Sequence, residues 1–113
     1  MNKKYFYNKL IRDKMPVIIE TAGNTYKTKI LDDKEVEKEL KKKLIEEAKE
    51  VEKATKDELL SELADTLELT KSIASHFKIP FGKVEKFQEE KRKKRGGFKK
   101  KLFLIWSTGK PGA

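Results

Sequence analysis

The chain has 113 residues, the size of one domain, and only 36% of them are hydrophobic, so a single copy has little material for a core and an oligomer is expected. Cysteine is absent, which excludes disulfides, thiolate zinc sites and cysteine nucleophiles and agrees with an expected cytoplasmic location. A formal charge of +9 favours anionic partners, either nucleotides or nucleic acids.

The amino-terminal segment, residues 1–14, mixes aromatic with basic side chains. It lacks the apolar stretch of a signal peptide, and the longest apolar run of the chain, residues 102–106, is far shorter than a bilayer span, so no membrane partner is expected. Lys9, Arg12 and Lys14 are candidate phosphate contacts. The alternative is a terminal segment that is anchored by its aromatic residues.

A short helix and a short strand are predicted next. Pro16 suits the first turn of a helix and Gly23 its end, which predicts a helix from Met15 to Ala22. Residues 25–31 are rich in β-branched and aromatic side chains and predict a strand. Because a lone strand leaves its backbone unpaired, residues 98–106 are the expected partner strand.

The second predicted helix carries the first acidic cluster. It begins at Asp32 or Asp33 and runs to about Lys53. Its apolar stripe consists of Val36, Leu40, Leu44, Ala48 and Val51. Glu47 lies near the edge of that stripe and Glu50 just beyond it, where a buried ligand is expected. Acidic pairs at this spacing cost roughly 0.2–0.5 kcal/mol each, so a merely solvated helix accounts poorly for Glu46, Glu47 and Glu50.

The third predicted helix carries the second acidic pair. Thr55 and Glu58 have the spacing of a capping box that opens it. Its predicted apolar set is Leu59, Leu60, Leu63, Leu67, Thr70, Ile73, Ala74 and Phe77, with Leu69 on the flank. Glu62 and Asp65 lie near Leu69 and Ile73 on the helical wheel, which favours a partly enclosed position for both acids.

Together the helices present the pattern EExxE followed by ExxD. Residues three apart share a helix face, so two antiparallel helices can direct Glu47, Glu50, Glu62 and Asp65 at one point. Carboxylates that are held together either take up protons or bind a cation. All-oxygen ligation without His or Cys favours Mg²⁺, with Mn²⁺ as a possible substitute.

A fourth helix is predicted from about Phe81 to Arg95, closed by two glycines. Lys91 and Arg95 share one face and are candidate phosphate ligands, although basic residues also favour a helix carboxyl end without any function. The predicted fold is mainly all-α, a four-helix bundle with the strand pair described above. It forms one domain over residues 1–106, followed by a tail over residues 107–113.

These features resemble the all-α nucleoside triphosphate pyrophosphohydrolase superfamily, which includes MazG-like proteins, phosphoribosyl-ATP pyrophosphohydrolase and dimeric dUTPases. Besides the paired acidic halves, three stretches resemble its small stand-alone house-cleaning branch. They are Tyr7-Asn-Lys-Leu-Ile-Arg-Asp-Lys-Met-Pro16, Ile30-Leu-Asp-Asp33 and Lys94-Arg-Gly-Gly-Phe98. The resemblance therefore covers nearly the whole chain.

The resemblance implies Mg²⁺-dependent hydrolysis of a nucleoside triphosphate between its α and β phosphates. It assigns the metal to Glu47, Glu50, Glu62 and Asp65, and gives Glu46 a supporting or water-orienting role. Charge on the departing pyrophosphate would be stabilised first by Lys91 and Arg95, then by Lys9 and Arg12. It also implies a homodimer or a dimer of dimers.

Two alternatives remain open at this stage. One is a basic nucleic-acid-binding module, favoured by the net charge and by the basic run over residues 91–101. The other is a catalytically silent relative that binds a nucleotide or a partner protein. The four carboxylates weigh against the silent relative.

Overall fold

The computed structural model describes residues 3–110. They form four helices and no strand, so the expected all-α class is confirmed. The helices are α1 (Met15–Thr21), α2 (Asp33–Lys53), α3 (Lys56–His76) and α4 (Phe81–Arg95). Each lies within a residue or two of its predicted bounds. No helix among the described residues is long and apolar enough to cross a membrane.

Helices α2 and α3 form an antiparallel hairpin joined by the two residues Ala54 and Thr55. The start of α2 meets the end of α3, where His76 Nε2 lies 3.3 Å from Glu37 Oε1. This histidine side chain is only 17% exposed and joins the two helices.

Both long helices begin with side-chain caps of the predicted kind. Asp32 Oδ1 accepts a hydrogen bond from the Glu35 backbone N–H at 2.8 Å, and Glu35 Oε1 accepts one from the Asp32 N–H at 3.3 Å. At α3, the Glu58 carboxylate accepts from the backbone N–H and the hydroxyl of Thr55. These bonds hold the pKa of Glu58 below its usual value, chiefly through the Thr55 N–H. The caps satisfy orphan donors, and this defines where each helix starts.

Helix α3 encloses only part of its predicted apolar set: Ala74 is buried, and Leu59, Thr70 and Ile73 are half-buried. The described residues bury only three hydrophobic side chains, Leu40, Leu69 and Ala74. Leu69 was expected on the flank, whereas Leu60, Leu63 and Leu67, expected in the core, are 81%, 53% and 49% exposed. Leu69 is therefore on the side of α3 that faces α2. Because Glu62 and Asp65 lie on the same side of α3 as Leu69, both acids are directed towards α2.

The predicted strand pair is wrong. Residues 25–31 and 98–106 have no strand structure, and Ile30 and Phe98 are almost fully exposed. The physical reason lies in the second segment. Lys101 has a left-handed φ of +59° and its N–H donates to the Phe98 carbonyl, so this segment turns where a strand must extend.

The chain divides into two compact units, the first ending at Pro80 and the second beginning at Phe81. The first contains α1, the α2/α3 hairpin and the amino-terminal segment, and the second contains α4 and the residues that follow it. The single domain expected over residues 1–106 stays a prediction. Of the expected tail over residues 107–113, positions 111–113 lie outside the described residues.

Candidate metal centre

Three of the predicted ligands converge between α2 and α3. Glu47 comes from α2, and Glu62 and Asp65 come from α3, where they lie three residues apart on one face. Each offers a carboxylate oxygen, and these oxygens lie within 4.8 Å of one another. We call these three residues the acidic triad. Its members are half-buried, so solvent screens their mutual repulsion only in part.

Glu47 contributes an enclosed oxygen atom to the acidic triad. Its Oε1 atom is shielded from solvent and has no hydrogen-bond partner. The pKa of Glu47 is raised to about 7, chiefly by a hydrogen bond that its protonated form shares with Glu62. Desolvation and repulsion from Glu62, Asp65 and Glu50 raise the pKa further. Near neutral pH the triad therefore either retains one proton or takes up a cation.

The amino-terminal segment supplies two cations to this acidic surface. Arg12 Nη2 donates to Asp65 Oδ1 at 2.7 Å, and Lys9 Nζ lies 3.5 Å from Glu46 Oε2. Both pairs are partly exposed, and such pairs contribute about 0–1 kcal/mol each to stability. Their main consequence is positional, because they hold two of the predicted phosphate-binding residues beside the acidic triad.

Glu50 is not one of the residues whose oxygens converge. It is exposed, and its Oε1 lies 3.8 Å from Lys53 Nζ on the same helix. It still adds to the repulsion felt by Glu47, so it belongs to the same electrostatic environment. Glu50 has the same three-residue spacing from Glu47 as Asp65 has from Glu62, so its contact with Lys53, and not the helical spacing, distinguishes it from the acidic triad.

An open pocket of about 300 Å³ adjoins Glu47. The residues lining it are Lys9, Lys43, Glu46, Glu47, Lys49, Glu50 and Lys53. Three of these lysines, Lys43, Lys49 and Lys53, were not among the predicted site residues because their charge was attributed to offsetting nearby glutamates. The spacing of Lys43 and Lys53 was the available signal, since positions 43, 46, 47, 50 and 53 recur at helical intervals on one face.

The remaining predicted residues are divided between the two units. Glu46 lies in the first unit, on α2 beside Lys9, and lines the pocket. Lys91 and Arg95 are exposed residues of α4, which belongs to the second unit. A role for these two in binding phosphate stays a prediction.

The residues present fit a hard divalent cation. The donors are carboxylate oxygens without any nitrogen or sulfur ligand, a set that suits Mg²⁺ or Mn²⁺. The unpartnered Glu47 Oε1 is an acceptor that a cation would satisfy. Exposed acidic groups often gather without a metal, so the enclosed oxygen distinguishes this cluster from an ordinary acidic surface.

Comparison with known proteins identifies no relative: no family model, curated protein or solved structure matches the chain.

Calorimetric titration with Mn²⁺ tests the composition of the centre. Asp65→Asn should weaken binding by about tenfold or more, because it removes a converging oxygen charge. Glu50→Gln should change the dissociation constant by less than about threefold, because its carboxylate is directed at Lys53. Equal losses in both variants would contradict the acidic triad and restore the four-residue site.

The stability of the metal-free protein should depend on Glu47. Its folded-state pKa of about 7 exceeds the ordinary glutamate pKa of 4.5, so the folded chain binds an extra proton between these pH values. In chelator, the free energy of unfolding should therefore fall as pH rises through this window, by about 1–2 kcal/mol after allowance for solvent screening.

Urea unfolding across that pH range measures this effect. Glu47→Gln should remove this part of the pH dependence, while the exposed control Glu52→Gln should retain it. Parallel curves for wild type and Glu47→Gln would show that Glu47 titrates normally in the folded protein.

Proposed function

We propose that the protein is a Mg²⁺-dependent nucleoside triphosphate pyrophosphohydrolase of the house-cleaning type, acting on canonical or damaged nucleotides. The observation that carries this proposal is the acidic triad with its enclosed, unpartnered Glu47 oxygen. The sequence resemblance described above supports the same activity. The absence of cysteine agrees with a cytoplasmic location, which is part of the proposal.

The triphosphate is proposed to occupy the lysine-lined pocket beside Glu47. Lys9, Lys43, Lys49 and Lys53 place four cations around a space of about 300 Å³ that three glutamates also line. Such a cleft suits a metal-bound polyphosphate, because the phosphates offset the charge of the lysines and the metal offsets the charge of the carboxylates. The anion or the metal alone would offset only one of the two. Arg12 provides a further cation at Asp65.

Glu47, Glu62 and Asp65 would hold the Mg²⁺. When bound, the metal would offset phosphate charge and lower the pKa of a coordinated water. Glu46 and Glu50 both line the pocket without belonging to the triad, and Glu50 pairs with Lys53 of its own helix. We assign the role of base to Glu46, which can accept the proton of the attacking water once Lys9 turns to the phosphates. Water attacks the α phosphorus, the bond from that phosphorus to the bridging oxygen breaks, and the products are a nucleoside monophosphate and pyrophosphate.

A homodimer or a dimer of dimers is the proposed assembly. The described residues bury three hydrophobic side chains, while Leu60, Leu63 and Leu67 form an exposed stripe at helical spacing on α3. A hairpin with this little core gains stability when a second hairpin covers its apolar stripe. At about 100° per residue, the stripe lies on the side of α3 that faces away from Glu62 and Asp65.

Pyrophosphate release from a panel of normal and damaged triphosphates in Mg²⁺ tests the activity. Glu62→Gln should lower kcat/KM by about 100-fold or more, while Glu52→Gln on the exposed side of α2 should leave it unchanged. In ¹⁸O-labelled water, the label should enter the monophosphate. Label in the pyrophosphate would contradict attack at the α phosphorus, and full turnover by Glu62→Gln would contradict the site.

Light scattering after size exclusion tests the assembly. Wild type should have two or four times the chain mass of 13.2 kDa. Leu63→Glu should reduce it to the chain mass, because the added charge would be buried in the interface. The neighbouring exposed residue provides a control, Ser61→Glu, which should not dissociate. A wild type of 13.2 kDa at micromolar concentration would refute the proposed assembly.

A further inference from the structure

The second unit contains a segment in which strong positive charge adjoins apolar side chains. Residues 91–106, which we call the basic-apolar segment, contain eight Lys or Arg residues and no Asp or Glu. The basic residues occupy the last turns of α4 and positions 99–101. The apolar residues are Phe98 and the continuous run Leu102-Phe-Leu-Ile-Trp106.

The apolar side chains of this segment are unusually exposed. Phe98, Phe103 and Trp106 are 98%, 90% and 77% exposed, and every other residue from 91 to 106 is exposed as well. Single exposed hydrophobic residues are ordinary, but six within nine positions form a contiguous surface that marks an interaction site.

The backbone separates the two kinds of side chain. Helix α4 ends at Arg95, and Gly96 takes a left-handed φ of +86° that a residue with a side chain rarely adopts. A second turn, closed by the Lys101 N–H on the Phe98 carbonyl at 3.1 Å, contains the lysines at positions 99–101. The apolar run therefore begins directly after a cluster of cations, with no regular structure of its own.

Charge and side-chain type together select the partner. A second copy of this chain carries a net charge of +9, so it is a poor electrostatic match for a segment with eight cations. Single-stranded nucleic acid matches the cations but stacks on separated aromatic rings and gains little from Leu102, Leu104 and Ile105. An anionic lipid surface matches both halves, because headgroups attract the lysines and the acyl boundary accepts the apolar run.

We infer that the basic-apolar segment binds the surface of anionic lipid bilayers. The cations of α4 and positions 99–101 lie at the headgroups, and Leu102 to Trp106 enter the boundary region beneath them. Trp106 ends the run, which suits a residue that prefers the interface. The sequence expectation of no membrane partner rested on the absence of a spanning segment and a signal peptide, and surface binding needs neither.

The chain carries its own probe for this binding. Trp106 is the single tryptophan of the sequence, so its fluorescence reports on this segment alone. The intact protein is mixed with vesicles of pure phosphatidylcholine, or of phosphatidylcholine containing about a third phosphatidylglycerol. Binding is measured by co-sedimentation and insertion by the Trp106 emission maximum. The protein should sediment with the anionic vesicles only, with emission shifted to the blue, and should be released as salt is raised.

Two variants separate the contributions of charge and apolar contact. Lys99→Glu/Lys100→Glu/Lys101→Glu should weaken vesicle binding by at least tenfold, since each lysine near an anionic surface contributes about fivefold. Phe103→Ser/Leu104→Ser should abolish the blue shift while weaker, salt-sensitive sedimentation persists. The matched charge control, Lys34→Glu/Lys38→Glu/Lys56→Glu, alters exposed lysines of α2 and α3 and should retain both binding and the shift.

Four results would overturn the inference. The first is the absence of sedimentation with anionic vesicles at about 0.15 M salt, and the second is an equal loss of binding in the test and control triple variants. The third is a Trp106 emission maximum that is already blue-shifted without lipid and moves to the red on dilution. The fourth is tight binding of an oligonucleotide that quenches Trp106 fluorescence while vesicles have no effect. The third identifies a second copy as the partner, and the fourth identifies nucleic acid. None of these measurements uses the acidic triad, so they leave the proposed hydrolase untouched.

Discussion

Packing of α2 against α3 requires three carboxylates to share one space. The two-residue connection and the capped helix starts set the register of the hairpin, and that register brings Glu47 opposite Glu62 and Asp65. Like charges at this separation in a half-buried setting are unfavourable unless they are offset. A proton, a neighbouring cationic side chain or a bound metal ion can each offset this repulsion. Glu47 holds a proton up to pH values near 7, Arg12 pairs with Asp65, and a bound divalent cation would replace both of these arrangements.

The same hairpin has little else to hold it together. Three hydrophobic side chains are buried among the described residues, whereas the leucine stripe on α3 and the apolar run after α4 are exposed. The two proposed contacts would cover these exposed apolar residues. The two proposed contacts differ in charge: the leucine stripe carries no cations of its own and suits another hairpin, while the run that ends at Trp106 follows eight cations and suits an anionic surface.

Local features of the fold could be predicted from the sequence. Helix bounds followed from Asp32, Thr55, Pro16 and Gly96, because caps and breakers act on their immediate neighbours. The i, i+3 spacing of Glu62 and Asp65 indicated a shared face for the same reason. The strand pair failed because pairing depends on contacts distant in sequence, and the turn between Phe98 and Lys101 opposes an extended segment there.

Rotation of each helix about its own axis was the feature that the sequence could not specify. Apolar residues surround much of α3, so its hydrophobic pattern permits more than one inward face, and the face with Leu69 was not distinguishable from the face with Leu63. The same limit explains Glu50, whose carboxylate is directed at Lys53 although its spacing matches that of a ligand. Lys43, Lys49 and Lys53 were overlooked because a lysine beside a glutamate is usually a solvated neighbour.

Anomalous diffraction from crystals grown with Mn²⁺ tests most directly whether the α2/α3 hairpin is built around a cation. A single strong peak within coordination distance of Glu47, Glu62 and Asp65 is the predicted result. If saturating Mn²⁺ gave no peak there while the three carboxylates kept their places, the hairpin would tolerate its acids without a metal, and the account of this centre would be wrong.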